Sequence, residues 1–143
     1  MISLPDVNVL LSLAWSNHPH HQAAHTWFAR EAPSGWATCL LTQLGFLRLS
    51  LNPQIVGIAL DGPAAMALLS GLTAHPNHQF VDLAPTITSA PFDELVPKIV
   101  GHQQITDAAL LHLARYHATK LVTFDRGTIA LCPWNGNLDI IVP

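Results

Sequence analysis

Short apolar runs closed by turn residues alternate along the chain with stripes of apolar residues at helical spacing. The run at residues 2–5, ending in Pro5, predicts a first strand, and the apolar stretch at residues 7–15 predicts a helix directly behind it. Residues 20–31 place Ala24, Trp27, Phe28 and Glu31 at the spacing of a second helix. A second strand is expected over residues 35–38, and a helix over 42–51 with Leu44, Leu47 and Leu51 along one side. Pro63 opens a helix over residues 63–72, since a first-turn proline sacrifices no hydrogen bond. Residues 80–83 predict a third strand and residues 106–118 the clearest helix, with Thr106 as its cap. Residues 120–124 and 138–142 predict the last two strands. Strands alternating with helices point to a three-layer α/β fold around a mainly parallel sheet, as one domain over residues 1–143.

Composition agrees with a dense globular chain. Half of the residues are hydrophobic (50%) and few are charged (10%), so disorder is excluded. No stretch reaches the roughly 18 uninterrupted apolar residues of a membrane span. The N-terminus lacks a basic leader segment, and Asp6 falls where a signal core would lie, so no secretory leader is expected. Cys39 and Cys132 do not make a disulfide framework, which leaves two ordinary thiols and a cytoplasmic protein as the expectation. The formal net charge of -3, with 6 Lys and Arg, argues against broad binding of nucleic acid through its phosphates and leaves room for a local contact.

In so uncharged a chain three aspartates stand out. Asp6 follows the first strand, Asp107 heads the helix over 106–118, and Asp125 follows the strand over 120–124. A carboxylate at the end of a buried strand, or on a core-facing helix stripe, is costly unless something pairs with it. Several such carboxylates together suit a hard divalent cation. Descending the helix takes about 18 Å, and climbing the strand returns roughly 16 Å. Asp107 and Asp125 therefore share one edge of the sheet. Asp6 reaches the same edge, the carboxyl end of the strands, where open parallel sheets place their sites. On a helical wheel Asp107 is centred on Leu110, Leu111, Ala114 and Ala118, while His112 and Tyr116 point away. Each acid also has a plain structural role open to it. Asp6 or Asn8 could cap a helix, Asp107 could favour the helix dipole, and Asp125-Arg126-Gly127 could be a turn. Convergence of all three on one edge is what favours an ion site.

Other patterns lead less far. His18, His20, His21 and His25 form a cluster, and His21 and His25 have the spacing of a zinc-protease helix, yet Gln22 stands where the glutamate would be. A helix start rich in exposed histidines is the better account. Trp134 could stack on a base, although a packed loop anchor is the simpler expectation. Asn8, two residues after Asp6, speaks against a phosphatase with an aspartyl nucleophile, which normally needs a second aspartate there.

Taken in order, residues 6–11, residues 36–48, residues 101–111 and the Thr123-Phe124-Asp125-Arg126-Gly127 segment resemble the PIN-domain ribonucleases, and most closely the VapC-type toxins of bacterial toxin–antitoxin pairs. The resemblance spans nearly the whole chain. It implies a three-layer α/β/α sandwich with a central, mainly parallel five-stranded sheet, and a Mg²⁺ or Mn²⁺ site. It further implies endonucleolytic cleavage of RNA, with attack by water leaving a 5′-phosphate. The implied partners are a small cognate antitoxin that blocks the acidic cleft and a second toxin copy in a homodimer. On this resemblance Asp6 and Asp107 are the primary ligands, and Asp125 completes the cluster or serves a second ion. Asn8 and Thr123 could orient those ligands, although Thr123 could equally be a plain buried strand threonine, and Arg126 could touch substrate phosphate or stay solvated. One position departs from the pattern. The family usually carries a glutamate at the start of the helix after the second strand, where this chain has Gln43. Gln43 is expected either to contact metal-bound water or to orient a neighbour. The departure keeps open a non-catalytic binding module of the same fold.

Overall fold

In the computed structural model, residues 1–81, 84 and 86–143 are described. The strands are β1 (Ser3–Pro5), β2 (Trp36–Thr38), β3 (His78–Phe80), β4 (Lys120–Thr123) and β5 (Leu138–Ile140). The α-helices are α1 (Val7–Ala14), α2 (His21–Glu31), α3 (Leu40–Ser50), α4 (Pro53–Val56), α5 (Gly62–Thr73), α6 (Ile105–Tyr116) and α7 (Thr128–Leu131). The strands form one sheet in the order β3-β2-β1-β4-β5, and every pairing is parallel. β1 and β4, at the centre, pair Ser3 with Lys120, Leu4 with Leu121 and Pro5 with Val122.

The period-2 alternation of the strands divides the core into layers. Leu4, Ala37 and Leu121 pack on one face with Ala108, Leu110, Leu111, Leu113 and Ala114 of α6 and Leu131 of α7. Trp36 packs on the other face with Leu10, Leu11, Phe46 and Leu69, and Val122 packs there with Val9, Leu13, Ala24 and Trp27. The result is the expected three-layer α/β/α sandwich. α1 and α3 approach closely because residue 45 is glycine: a Cβ at Gly45 would lie 2.5 Å from Cγ2 of Val7.

Several expectations need correction. The third strand is His78–Phe80, starting two residues earlier than expected and ending before Val81, while residues 82 and 83 of the expected span lie outside the described residues. β3 is an edge strand with Gln79 and Phe80 exposed, so its position follows from pairing with β2 and from the His78 ring against Trp36, not from an apolar run. The helix expected over 42–51 begins earlier, because Cys39 and Thr42 form a capping box. Its buried residues are Thr42, Phe46 and Ser50, while Leu44 and Leu51 face outward. Thr106 does not cap α6. The cap position is Gln104, with no side-chain cap bond, and Thr106 sits exposed in the first turn. His112, expected outward, is buried with its ring edge-on to Phe92 at 5.4 Å, because the 3₁₀ segment Phe92–Glu94 covers that side of α6. Ala118 lies beyond the helix in a left-handed conformation (φ 52) and is exposed.

Candidate active site

β1 delivers the chain to Asp6 at the carboxyl edge of the sheet, and Asp6 starts α1 as its N-cap. Its Oδ1 accepts the Val9 backbone N–H at 3.0 Å, which satisfies one of the free donors of the first turn. Its backbone N–H donates to the Val122 carbonyl at 2.9 Å, locking it against β4. The capping role that the sequence left open is thus real. It does not exhaust the side chain, since a carboxylate offers about four acceptor sites.

Thr123, the last residue of β4 and fully buried, joins two of the acids. Its hydroxyl donates to Asp6 Oδ2 and accepts the Asp125 backbone N–H at 3.0 Å. Asp125 in turn accepts the Gly127 N–H on Oδ1 at 2.8 Å, an Asx turn. A side chain at residue 127 would press on that carboxylate, since a Cβ there would lie 3.0 Å from Asp125 Oδ1. Asp125 is exposed, whereas Asp6 is only 7% exposed.

Asp107 stands on the first turn of α6, half-buried beside Ala108 and Leu110. Among the described residues, no hydrogen-bond donor reaches its carboxylate. Its carboxyl is pushed up to about 6, first by burial and then by the charges of Asp6 and Asp125. The Asp6 carboxyl is also raised. Burial is the largest cause, opposed by the bonds from Thr123, Val9 and Asn8 and reinforced by the charge of Asp125. The three acids therefore share one electrostatic neighbourhood, as the strand and helix lengths required.

Among the described residues, no ion pair is made by any of the three acids. The ion pairs join Glu31 to Arg30 and to Lys120, and Lys120 to Asp139, all away from the three acids. Oxygen donors with a buried flank and no ammonium or guanidinium on them fit a hard divalent cation by the chemistry of the set. The acids are not closed into a cage. Among the described residues, no three His, Cys, Asp or Glu side chains are set closely enough to enclose an ion.

The remaining expected residues divide. Asn8 is exposed and contributes its backbone N–H, near the Asp6 carboxylate, in place of its side chain. Arg126 is exposed on the turn beside Asp125, with no ion pair among the described residues. The Gln43 side-chain amide donates to the Thr38 hydroxyl at 2.9 Å. Sequence reasoning missed that neighbour, Thr38, and its contact with His78, because the pair is brought together only by the β2–β3 register. The histidine cluster has a structural account. His21 Nδ1 lies 2.7 Å from the Ser12 carbonyl and His25 Nε2 lies 2.9 Å from the Leu13 carbonyl, so the two rings cap the end of α1. Trp134 is a loop anchor: its ring N–H donates to Glu94, and the Arg115 guanidinium lies 5.4 Å from the ring centre.

Comparison with known proteins agrees with this architecture. A profile of the PIN domain matches residues 3–131. Ribonuclease VapC38 of Mycobacterium tuberculosis is 45% identical over 130 residues, covering 91% of this chain and 89% of the relative. Ribonuclease VapC29 of the same organism is 33% identical over 143 residues, covering 100% and 98%. Among solved structures, VapBC2 from Rickettsia felis, bound to a DNA fragment from its promoter, superposes with a TM-score of 0.67 at 15% identity, covering 98% of this chain and 97% of that one. Mycobacterium tuberculosis VapC20, described as a sarcin-ricin loop cleaving toxin, superposes at 0.65 and 15% identity, covering 90% and 93%. With the fold, the order of its motifs and these relatives in agreement, the chain belongs to the PIN-domain family, in its VapC ribonuclease branch.

Proposed function

We propose that the protein is a metal-dependent endoribonuclease and the toxin of a toxin–antitoxin pair. The observation that carries this reading is the meeting of Asp6, Asp107 and Asp125 at one sheet edge, with no ion pair to any of them among the described residues, in a chain 45% identical to a named ribonuclease. Asp6 and Asp107 would hold Mg²⁺ or Mn²⁺, with Asp125 completing the set. When bound, such an ion lowers the pKa of water and offsets charge on phosphoryl oxygens. The rest is the work of the chain. Thr123 fixes the Asp6 carboxylate and the start of the Asp125 turn, so both acids are oriented before substrate arrives. Burial of Asp6 gives the site a dry flank, where charge interactions are stronger than in water. Arg126 is free to reach a backbone phosphate beside Asp125.

With a net charge of -3, the hold on RNA is local, and cleavage should depend only weakly on salt. The expected partners are a small cognate antitoxin lying over the acidic edge and a second copy of the chain, in the cytoplasm. Among the described residues, no helix is long and apolar enough to cross a membrane. The test incubates purified chain with total RNA, in Mn²⁺ or in EDTA, beside Asp107→Asn. Cleavage that needs Mn²⁺ and disappears in the variant supports the reading. Equal cleavage by both proteins overturns it, and no cleavage by either leaves the binding module of the same fold. Growth arrest on expression, relieved by the product of the adjoining reading frame, tests the toxin role.

A further inference from the structure

Gln43 stands where the resemblance leads one to expect an acid, and its surroundings explain the amide. Its Nε2–H donates to Thr38 Oγ1 at 2.9 Å, and the same hydroxyl lies 2.8 Å from Nε2 of His78. Thr38 ends β2 at the sheet edge that carries Asp6, and it is fully buried. A hydroxyl has one proton to give. Among the described residues the only side-chain atom placed to accept it from Thr38 is His78 Nε2, and a buried hydroxyl proton without an acceptor costs about 1–3 kcal/mol. The proton therefore points to His78, whose Nε2 is bare and whose Nδ1 carries the ring hydrogen. Burial holds His78 below the ordinary histidine range, which agrees with a neutral ring. The ring is also packed against Trp36 at 4.6 Å, so it is not free to turn away.

We propose that Gln43 is a positioning residue, not an ion ligand: its amide sets the direction of a hydrogen-bond chain, Gln43 to Thr38 to His78, that ties α3 to β2 and the edge strand β3. A glutamate at this position could only accept. The Thr38 proton would then turn to residue 43, and Thr38 Oγ1 would have to accept a proton from His78 Nε2. Residue 43 and the tautomer of His78 are thus one linked choice.

The test reads the His78 ring nitrogens by ¹⁵N-edited NMR in the metal-free full chain, so it stands whatever the acids bind. In the unaltered protein, the expected result is a bare Nε2 and a protonated Nδ1. In Gln43→Glu, the proton should move to Nε2. A protonated Nε2 in the unaltered protein overturns the proposal without recourse to any variant, should Gln43→Glu fail to fold. An unchanged tautomer in a folded Gln43→Glu overturns it as well. Mn²⁺ calorimetry supplies the second arm. Affinity within threefold between the unaltered protein and Gln43→Leu supports a positioning role, and a larger loss in Gln43→Leu places Gln43 among the ligands and overturns it.

Discussion

Asp107 is the acid whose removal should improve the fold. Its carboxyl sits at about 6 against an ordinary 3.8, driven by burial and then by the charges of Asp6 and Asp125. A displacement of that size corresponds to roughly 3 kcal/mol against the ionised form. Asp107 is only half-buried, so solvent screening reduces this to about 1.5 kcal/mol. Asp107→Asn keeps the shape and removes the charge, so the metal-free variant should be more stable at pH 7.5 by that amount. For a chain of this size that is about 5 °C in Tm. The gain must depend on pH with a definite sign. The folded state binds the Asp107 proton more tightly than the unfolded state, so the unaltered protein loses stability as pH rises from about 3.8 to about 6. The advantage of Asp107→Asn should therefore shrink to about a third at pH 4.5, where little of that loss has accrued. Thermal and urea denaturation in EDTA at both pH values measures it. Added Mn²⁺ at about 100 times its Kd should stabilise the unaltered chain by about 2.7 kcal/mol and the variant far less. A variant less stable in EDTA at pH 7.5, or a gain equal at both pH values, would refute the shared field of the three acids.

Three further perturbations probe how the site is held. Thr123→Val removes the donor to Asp6 and the acceptor for the Asp125 N–H, and should cost about 2 kcal/mol in urea unfolding, with Thr123→Ser close to the unaltered protein. Asp6→Ala should lose activity and about 1–2 kcal/mol of stability together, because the same carboxylate caps α1 and receives Thr123; a rise in Tm would show that the cap is dispensable. Gly45→Ala gains helix propensity yet meets the stiff Val7 side chain, and should destabilise by about 1–3 kcal/mol. Adding Val7→Ala should recover most of that loss, and additive costs in the double mutant would exclude the contact as the cause.

What the sequence disclosed follows from which interactions are local. The alternation of strands and helices, the parallel order and the shared edge of Asp6, Asp107 and Asp125 all come from lengths and periods of single segments. Asp125 and its turn were legible for the same reason, since Asp125 and Gly127 are two residues apart. The errors lie where a neighbour from elsewhere decides. His112 reads as an outward residue until the segment Phe92–Glu94 is laid over it. β3 is placed by its pairing with β2, which overrides its weak apolar pattern. Likewise, Gln43 could be narrowed to two roles from sequence, but only the packing of β3 brings His78 to Thr38 and shows which neighbour the amide serves.

The acids at this edge differ in how they are supported, and that difference is itself chemical. Asp6 and Asp125 are each tied to a backbone amide and to Thr123, so their positions belong to the fold and change little when charge is added nearby. Asp107 has burial and two like charges and, among the described residues, no donor to its carboxylate, so its ionised form is disfavoured. On the proposed function, an ion at this edge would gain the attraction of all three acids and offset the penalty that burial places on Asp6 as well as on Asp107. Affinity for the ion should then rest most on the acid that stabilises the metal-free protein least. On the proposed function, the instability at Asp107 and its part in holding a metal would be one property of the same carboxylate.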